Sequence, residues 1–130
     1  MEQTWRFRRQ VLLEIGGFDA FFGAGTLFAG EDIDAASRAS ARGWTGKYCP
    51  EVVVSHHHGR KVEDLPRLMR FYDIGRAAYH MKLLIRGRQI SSFISAVYGL
   101  RQRMKGRPST VYWELVGSYR YLLQIIRRRC

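Results

Sequence analysis

Between Pro66 and Gly87 the chain is committed to a helix. Leu65, Leu68, Met69, Tyr72, Tyr79 and Leu83 recur at helical spacing across it. A proline fits the first helical turn, where the lost amide has no partner, and Glu63 and Asp64 ahead of it suit the positive end of a helix. Gly87 supplies the stop. A further helix is expected over residues 90–104, a break at KGRPS, and a last helix over 110–128. Glycine and proline thus divide the second half into helical pieces.

The first half is punctuated differently. Phe7, Val11, Leu12 and Ile15 outline a short helix that Gly16 and Gly17 end. FDAFFGAGTLFAG follows, a loop whose glycines bring backbone to close range while its phenylalanines anchor it to a core. Such loops carry function more often than scaffold. Residues 31–42 read as a helix of small side chains (Ala35, Ala36, Ser37, Ala39, Ser40), closed by Gly43 and able to approach a neighbour closely. KYCPEVVVSH is strand-like, broken at Pro50 and resumed by the β-branched Val52, Val53 and Val54. Helix alternating with strand predicts an α/β layer over residues 1–62, followed by a mostly helical, basic region over 63–130.

Charge reinforces that division. The 130 residues carry a formal net charge of +11, yet residues 1–65 hold eight Lys/Arg against nine Asp/Glu, and residues 66–130 hold fourteen against two. The second half is therefore expected to meet an anionic partner: phospholipid, nucleic acid or a phosphorylated substrate. Hydrophobic residues at 46% exclude a disordered chain. Cys49 and Cys130 make no disulfide framework, which favours a reducing, cytosolic setting. MEQTWRFRRQ has charge but no apolar segment after it, so it is not a secretory signal. ISSFISAVYGL, the most apolar run, has about half the roughly 20 residues that a spanning helix needs.

Against this basic background three carboxylates gather at GEDIDAASRASARGW: Glu31, Asp32 and Asp34. A helix N-terminus alone stabilises each by about 0.3–1 kcal/mol, which is a sufficient structural reason for them. Their setting adds a chemical reason. An ionised carboxylate beside a glycine-rich loop is placed to take a proton from a substrate hydroxyl. The helix end keeps it ionised but lowers its basicity, so positioning would supply most of the acceleration.

The pattern GGFD, then FGAGTLFAGED, Asp34, Arg38, Gly43-Trp44, Pro50 and the histidines 56–58 resembles the distal half of the catalytic domain of family 2 inverting glycosyltransferases, of GT-A fold. RLMRFYDIGRAAYHMKLLIRG is similar to the stretch that follows in bacterial members, so the resemblance covers residues 5–88. It implies an α/β fold: part of a Rossmann-like GT-A domain without its N-terminal half. It implies transfer of a sugar from a nucleotide diphosphate donor to a hydroxyl of a saccharide or lipid-linked acceptor, in envelope polysaccharide synthesis at the cytoplasmic face of a membrane. Asp32 would be the general base and Glu31 would shape the acceptor site. Gly23, Ala24 and Gly25 would form the loop under the sugar. His56, or His58 in its place, would reach a Mg²⁺ or Mn²⁺ held mainly by other groups, and Arg60 would neutralise the leaving diphosphate. Arg38 would bind substrate, pair with an acidic neighbour or hold the loop. The family's donor-side Asp-x-Asp precedes these landmarks, and here Asp32-x-Asp34 follows them. The chain would accordingly be a C-terminal fragment, a split gene product or a shortened reading frame, with little donor affinity alone.

Other readings of the same residues remain open. Consecutive histidines on an extended chain alternate sides, so His56, His57 and His58 cannot all turn inward on one zinc ion, and a loop of hydrogen-bonded or solvated histidines is their ordinary outcome. The basic half is a solvated helical surface or, with Tyr112, Trp113, Tyr119, Tyr121 and Arg127 to Arg129, an interfacial membrane surface. A non-catalytic membrane-surface module is the rival to an enzyme. No specific nucleic-acid partner is expected, because no recognised nucleic-acid-binding signature accompanies the charge.

Overall fold

A computed structural model of the chain describes residues 5–51, 59, 61–86 and 90–129. Among the described residues five helices are formed in order: α1 (Arg9–Ile15), α2 (Glu31–Ser40), α3 (Leu65–Ile85), α4 (Ile90–Gly106) and α5 (Ser109–Arg129), with a 3-10 turn (Val62–Asp64) leading into α3. The helix ends follow the punctuation. Gly16 takes the left-handed φ of +76° that closes α1, and the Gly17 amide returns to the Leu12 carbonyl at 2.8 Å. Beyond α2 the chain reverses through Gly43, and the Trp44 amide reaches the Ala39 carbonyl at 3.2 Å.

The α/β expectation is corrected. Among the described residues there is no sheet, only an isolated bridge between Phe22 and Phe28 within the loop 18–30. Residues 44–49 have no regular secondary structure and 50–51 form a turn, while Val52 to Val54 lie outside the described residues. Strand propensity expresses itself only where a neighbour accepts the backbone hydrogen bonds, and the chain around residues 47–51 meets none. The described protein is a small all-helical unit, not a piece of a Rossmann-like layer.

Two apolar clusters hold it together. One joins α1 to α2 through Val11, Ile15, Ala35 and Ala39, with Phe7, Leu12 and Trp44 against them. The larger sets Phe22 and Phe28 from the loop against Ile74 and Ala78 of α3 and Tyr121 of α5. Phe28 and Ala78 are completely buried. Burial of the Tyr121 phenol, the main cause, pushes its pKa up to about 12, so it stays neutral in the core.

Backbone contact at two glycines sets the spacing of these parts. A Cβ on Gly117 would lie 2.3 Å from the Ile74 carbonyl oxygen, and one on Gly75 would lie 2.4 Å from that of Ala29. Helix α5 therefore crosses α3 with main chains touching, and α3 presses the same way on the loop just before α2. Gly117→Val forces the two helices apart, and overpacking of this kind is expected to cost about 1–3 kcal/mol or more. A urea midpoint left at the wild-type value would contradict the crossing.

Candidate functional site

The first turn of α2 sends its carboxylates two ways: Asp32 and Asp34, at i and i+2, do not share a side, and Glu31 folds back to the Gly30 amide at the helix start. Asp34 points inward and is 1% exposed. Its Oδ1 pairs with the buried Lys82 ammonium of α3, and its Oδ2 accepts from Arg38 Nε at 2.8 Å. Lys82 also donates to Asp19 of the GGFD segment at 2.7 Å and lies 5.2 Å from the Phe22 ring centroid. Arg38 passes a second hydrogen bond to the Ile15 carbonyl at 2.6 Å. One buried ion cluster thus ties the end of α1, the loop, α2 and α3. Burial alone would raise the Asp19 pKa, but Lys82 and the Phe21 amide outweigh it and hold that carboxyl below its usual value.

Glu31 and Asp32 face outward instead. They line a cleft of about 970 Å³ with Gly23, Ala24, Gly30 and Ile33 on one side and residues of α3, α4 and α5 on the other. Asp32 accepts the Ile33 amide at 2.8 Å, and Glu31 accepts the Gly30 amide at 3.2 Å. Neither pairs with a cation among the described residues. The Glu31 side chain passes over Gly23, where an added Cβ would lie 3.5 Å from it. Gly23, with a φ of +120°, therefore lets the loop turn beneath Glu31.

Three arginines, none of them anticipated from sequence, line the same cleft: Arg76 of α3, Arg103 of α4 and Arg107 at the turn into α5. Arg76 and Arg107 pair with the two oxygens of the buried Asp73. Arg76 and Arg103 share one oxygen of Glu114, each at 3.0 Å. Arg107 also donates to the hydroxyl of the buried Thr110 at 3.0 Å. Three guanidiniums meet two carboxylates, so their donors outnumber these partners, and Arg103 Nε is buried without a hydrogen-bond partner among the described residues. Their sequence separation hid them, since a helical hairpin is what returns residues 103 and 107 to α3.

His80 was missed as well. It lines the cleft, and its Nδ1 is buried with no hydrogen-bond partner among the described residues. Burial is the main cause of its lowered pKa. Arg103 and Arg76 push the same way and Glu114 opposes them, so the imidazole is neutral near pH 7.

The positions expected from sequence divide accordingly. Asp32, Glu31, Gly23 and Ala24 come together at the cleft, and Gly25 sits in the same loop but is not part of the lining. Arg38 is not part of the lining either; its guanidinium is held by Asp34 and Ile15, as the pairing reading has it. His56, His58 and Arg60 lie outside the described residues. No three His, Cys, Asp or Glu side chains among the described residues converge as ligands for an ion. Glu31 and Asp32 alone do not make a Mg²⁺ or Mn²⁺ site, and no chemical step is assigned to a metal. Comparison with protein-family models gave no match, and neither curated proteins nor solved structures gave one.

Two outcomes check this arrangement. Lys82→Met leaves two carboxylates facing each other without their shared cation, a loss worth about 3–5 kcal/mol for a buried pair. Chemical denaturation should show it, and a small change would mean that the cluster is hydrated. The second concerns pH. A folded-state His80 pKa below the ordinary 6.5 makes the unfolded chain take up the proton first. The stability His80 supports is then complete above pH 6.5 and declines as the pH falls below it. His80→Phe should shrink the difference between urea midpoints measured at about pH 7.5 and about pH 5.5.

Proposed function

We propose that the cleft receives a hydroxyl-bearing acceptor, saccharide or lipid-linked, and that the chain supplies the acceptor side of an inverting sugar transfer from a nucleotide diphosphate donor. One observation carries the reading. Of the three carboxylates at the start of α2, the inward one is consumed by Lys82 and Arg38, while Asp32 is left on the wall of a large cleft. The sequence resemblance to family 2 glycosyltransferases supports the same assignment for Asp32.

In this reaction the acceptor oxygen attacks the anomeric carbon of the donor sugar from the side opposite the diphosphate. The new glycosidic bond forms as the bond from that carbon to the diphosphate oxygen breaks, and the diphosphate departs with its electron pair. Asp32 receives the hydroxyl proton. Its two oxygens are held by a short side chain at a helix end, which makes positioning its chief contribution. Glu31, beside it, accepts a second acceptor hydroxyl. The guanidiniums of Arg76, Arg103 and Arg107 compensate negative charge on the acceptor or on the leaving group. His80, being neutral, places no cation against theirs.

The helical fold gives no nucleotide-binding sheet among the described residues, so donor binding falls to another chain or to residues beyond those described. A divalent ion that steadies the diphosphate, Mg²⁺ or Mn²⁺, would be held there too. We place the reaction at the cytoplasmic face of a membrane, where the excess of cations in residues 66–130 meets anionic headgroups.

Replacing the gene in its own host by the Asp32→Asn form, at equal protein level, tests the assignment. Incorporation of radiolabelled sugar into polysaccharide and lipid fractions is expected to fall by about 10²–10⁴-fold. Glu31→Gln should cost less. Unchanged incorporation with Asp32→Asn removes Asp32 as the base.

A further inference from the structure

The outer side of α5 displays Tyr112, Leu115, Tyr119, Leu122 and Ile126, each between 39% and 66% exposed. Their steps of three and four residues draw one stripe along the helix. It is not the packing side, since Thr110, Gly117 and Tyr121 of the same helix point into the protein. On α4, Ile94 and Tyr98 are each 65% exposed and are continued at the same spacing by Arg101 and Lys105. Val97 and Leu115 line a shared shallow groove with Leu84 of α3, so the apolar positions of the three helices are contiguous.

Charge decides what covers them. Between residues 90 and 129 the only carboxylate is Glu114, and it is taken up by Arg76 and Arg103. Arg101, Lys105, Arg120 and Arg127 are exposed around the apolar stripe. A second copy of the same surface would bring these like charges together at a cost. Anionic lipid fits both features at once: headgroups meet the cations, the acyl boundary takes leucine and isoleucine, and tyrosine rings suit the layer between. No described helix is long and apolar enough to cross a membrane, so the contact is parallel to the surface.

We propose that the outer surface of α4 and α5 docks on an anionic lipid bilayer, with α5 lying in the interface. The proposal rests on the peripheral location given above but uses no residue of the cleft, so it and the assignment of Asp32 stand or fall separately.

The test is cosedimentation of the full chain with phosphatidylcholine vesicles that contain or lack about a third phosphatidylglycerol. Binding is expected to the anionic vesicles and to weaken with added salt. Leu115→Glu with Leu122→Glu and Ile126→Glu should lower partitioning at least about tenfold. Leu13→Glu, an equally exposed position on α1, should not. Circular dichroism confirms that each variant is folded, and Arg120→Gln with Arg127→Gln gives a milder second probe that should reduce the preference for anionic lipid. Wild-type chain that ignores anionic vesicles, or a triple variant that binds like wild type, overturns the proposal. So does a dimer abolished by the triple variant in a chain that fails to bind vesicles. Asp32→Asn chain that binds vesicles normally but loses sugar transfer separates this surface from the chemistry of the cleft.

Discussion

Everything around the cleft is referred to one ammonium group. Lys82 is 2% exposed and sits between Asp34 and Asp19, with the Phe22 ring beneath it. A buried cation is tolerable only when paired and hydrogen-bonded. These two aspartates are 15 residues apart in sequence and belong to different segments. Satisfying the charge therefore fixes where the loop ends, where α2 begins and how both stand on α3. Arg38 extends the constraint to α1 by capturing the Ile15 carbonyl. A hydrophobic contact could supply similar energy, but it would not specify direction as an ion cluster does.

That clustering explains how one short motif divides its labour. The helical period separates Asp34, turned toward Lys82, from Asp32 on the cleft, and Glu31 reaches the cleft by folding back to the Gly30 amide. The scaffold role of the third carboxylate is what orients the other two. Acid-rich helix starts are common for electrostatic reasons alone. Here the side-chain directions, more than the composition, distinguish a supporting residue from a candidate reactive one.

Much of the helical architecture was legible because glycine and proline act locally. Gly16, Pro66 and the KGRPS break end or begin helices through their own backbone chemistry, and the observed boundaries fall close to them. The α/β layer failed because a strand is not a local object. Val52 to Val54 lie outside the described residues, and in the described part of that stretch, residues 47–51, the backbone finds no neighbouring strand to pair with. The resemblance had implied such a sheet, and among the described residues none forms. The site was half readable for a related reason. Glu31, Asp32 and Gly23 lie close in sequence, whereas Arg76, Arg103 and Arg107 are assembled by the packing of three helices and leave no spacing to detect.

The contact of Gly75 with Ala29 has a consequence for what the cleft can admit. Where α3 meets the loop, main chain rests on main chain, so this part of the floor cannot be deepened by trimming a side chain. Selection for a bulkier or slimmer guest would have to act on side chains of the walls, such as Leu68, Met69, Phe71 and Tyr72. Breadth is adjustable; depth is built in.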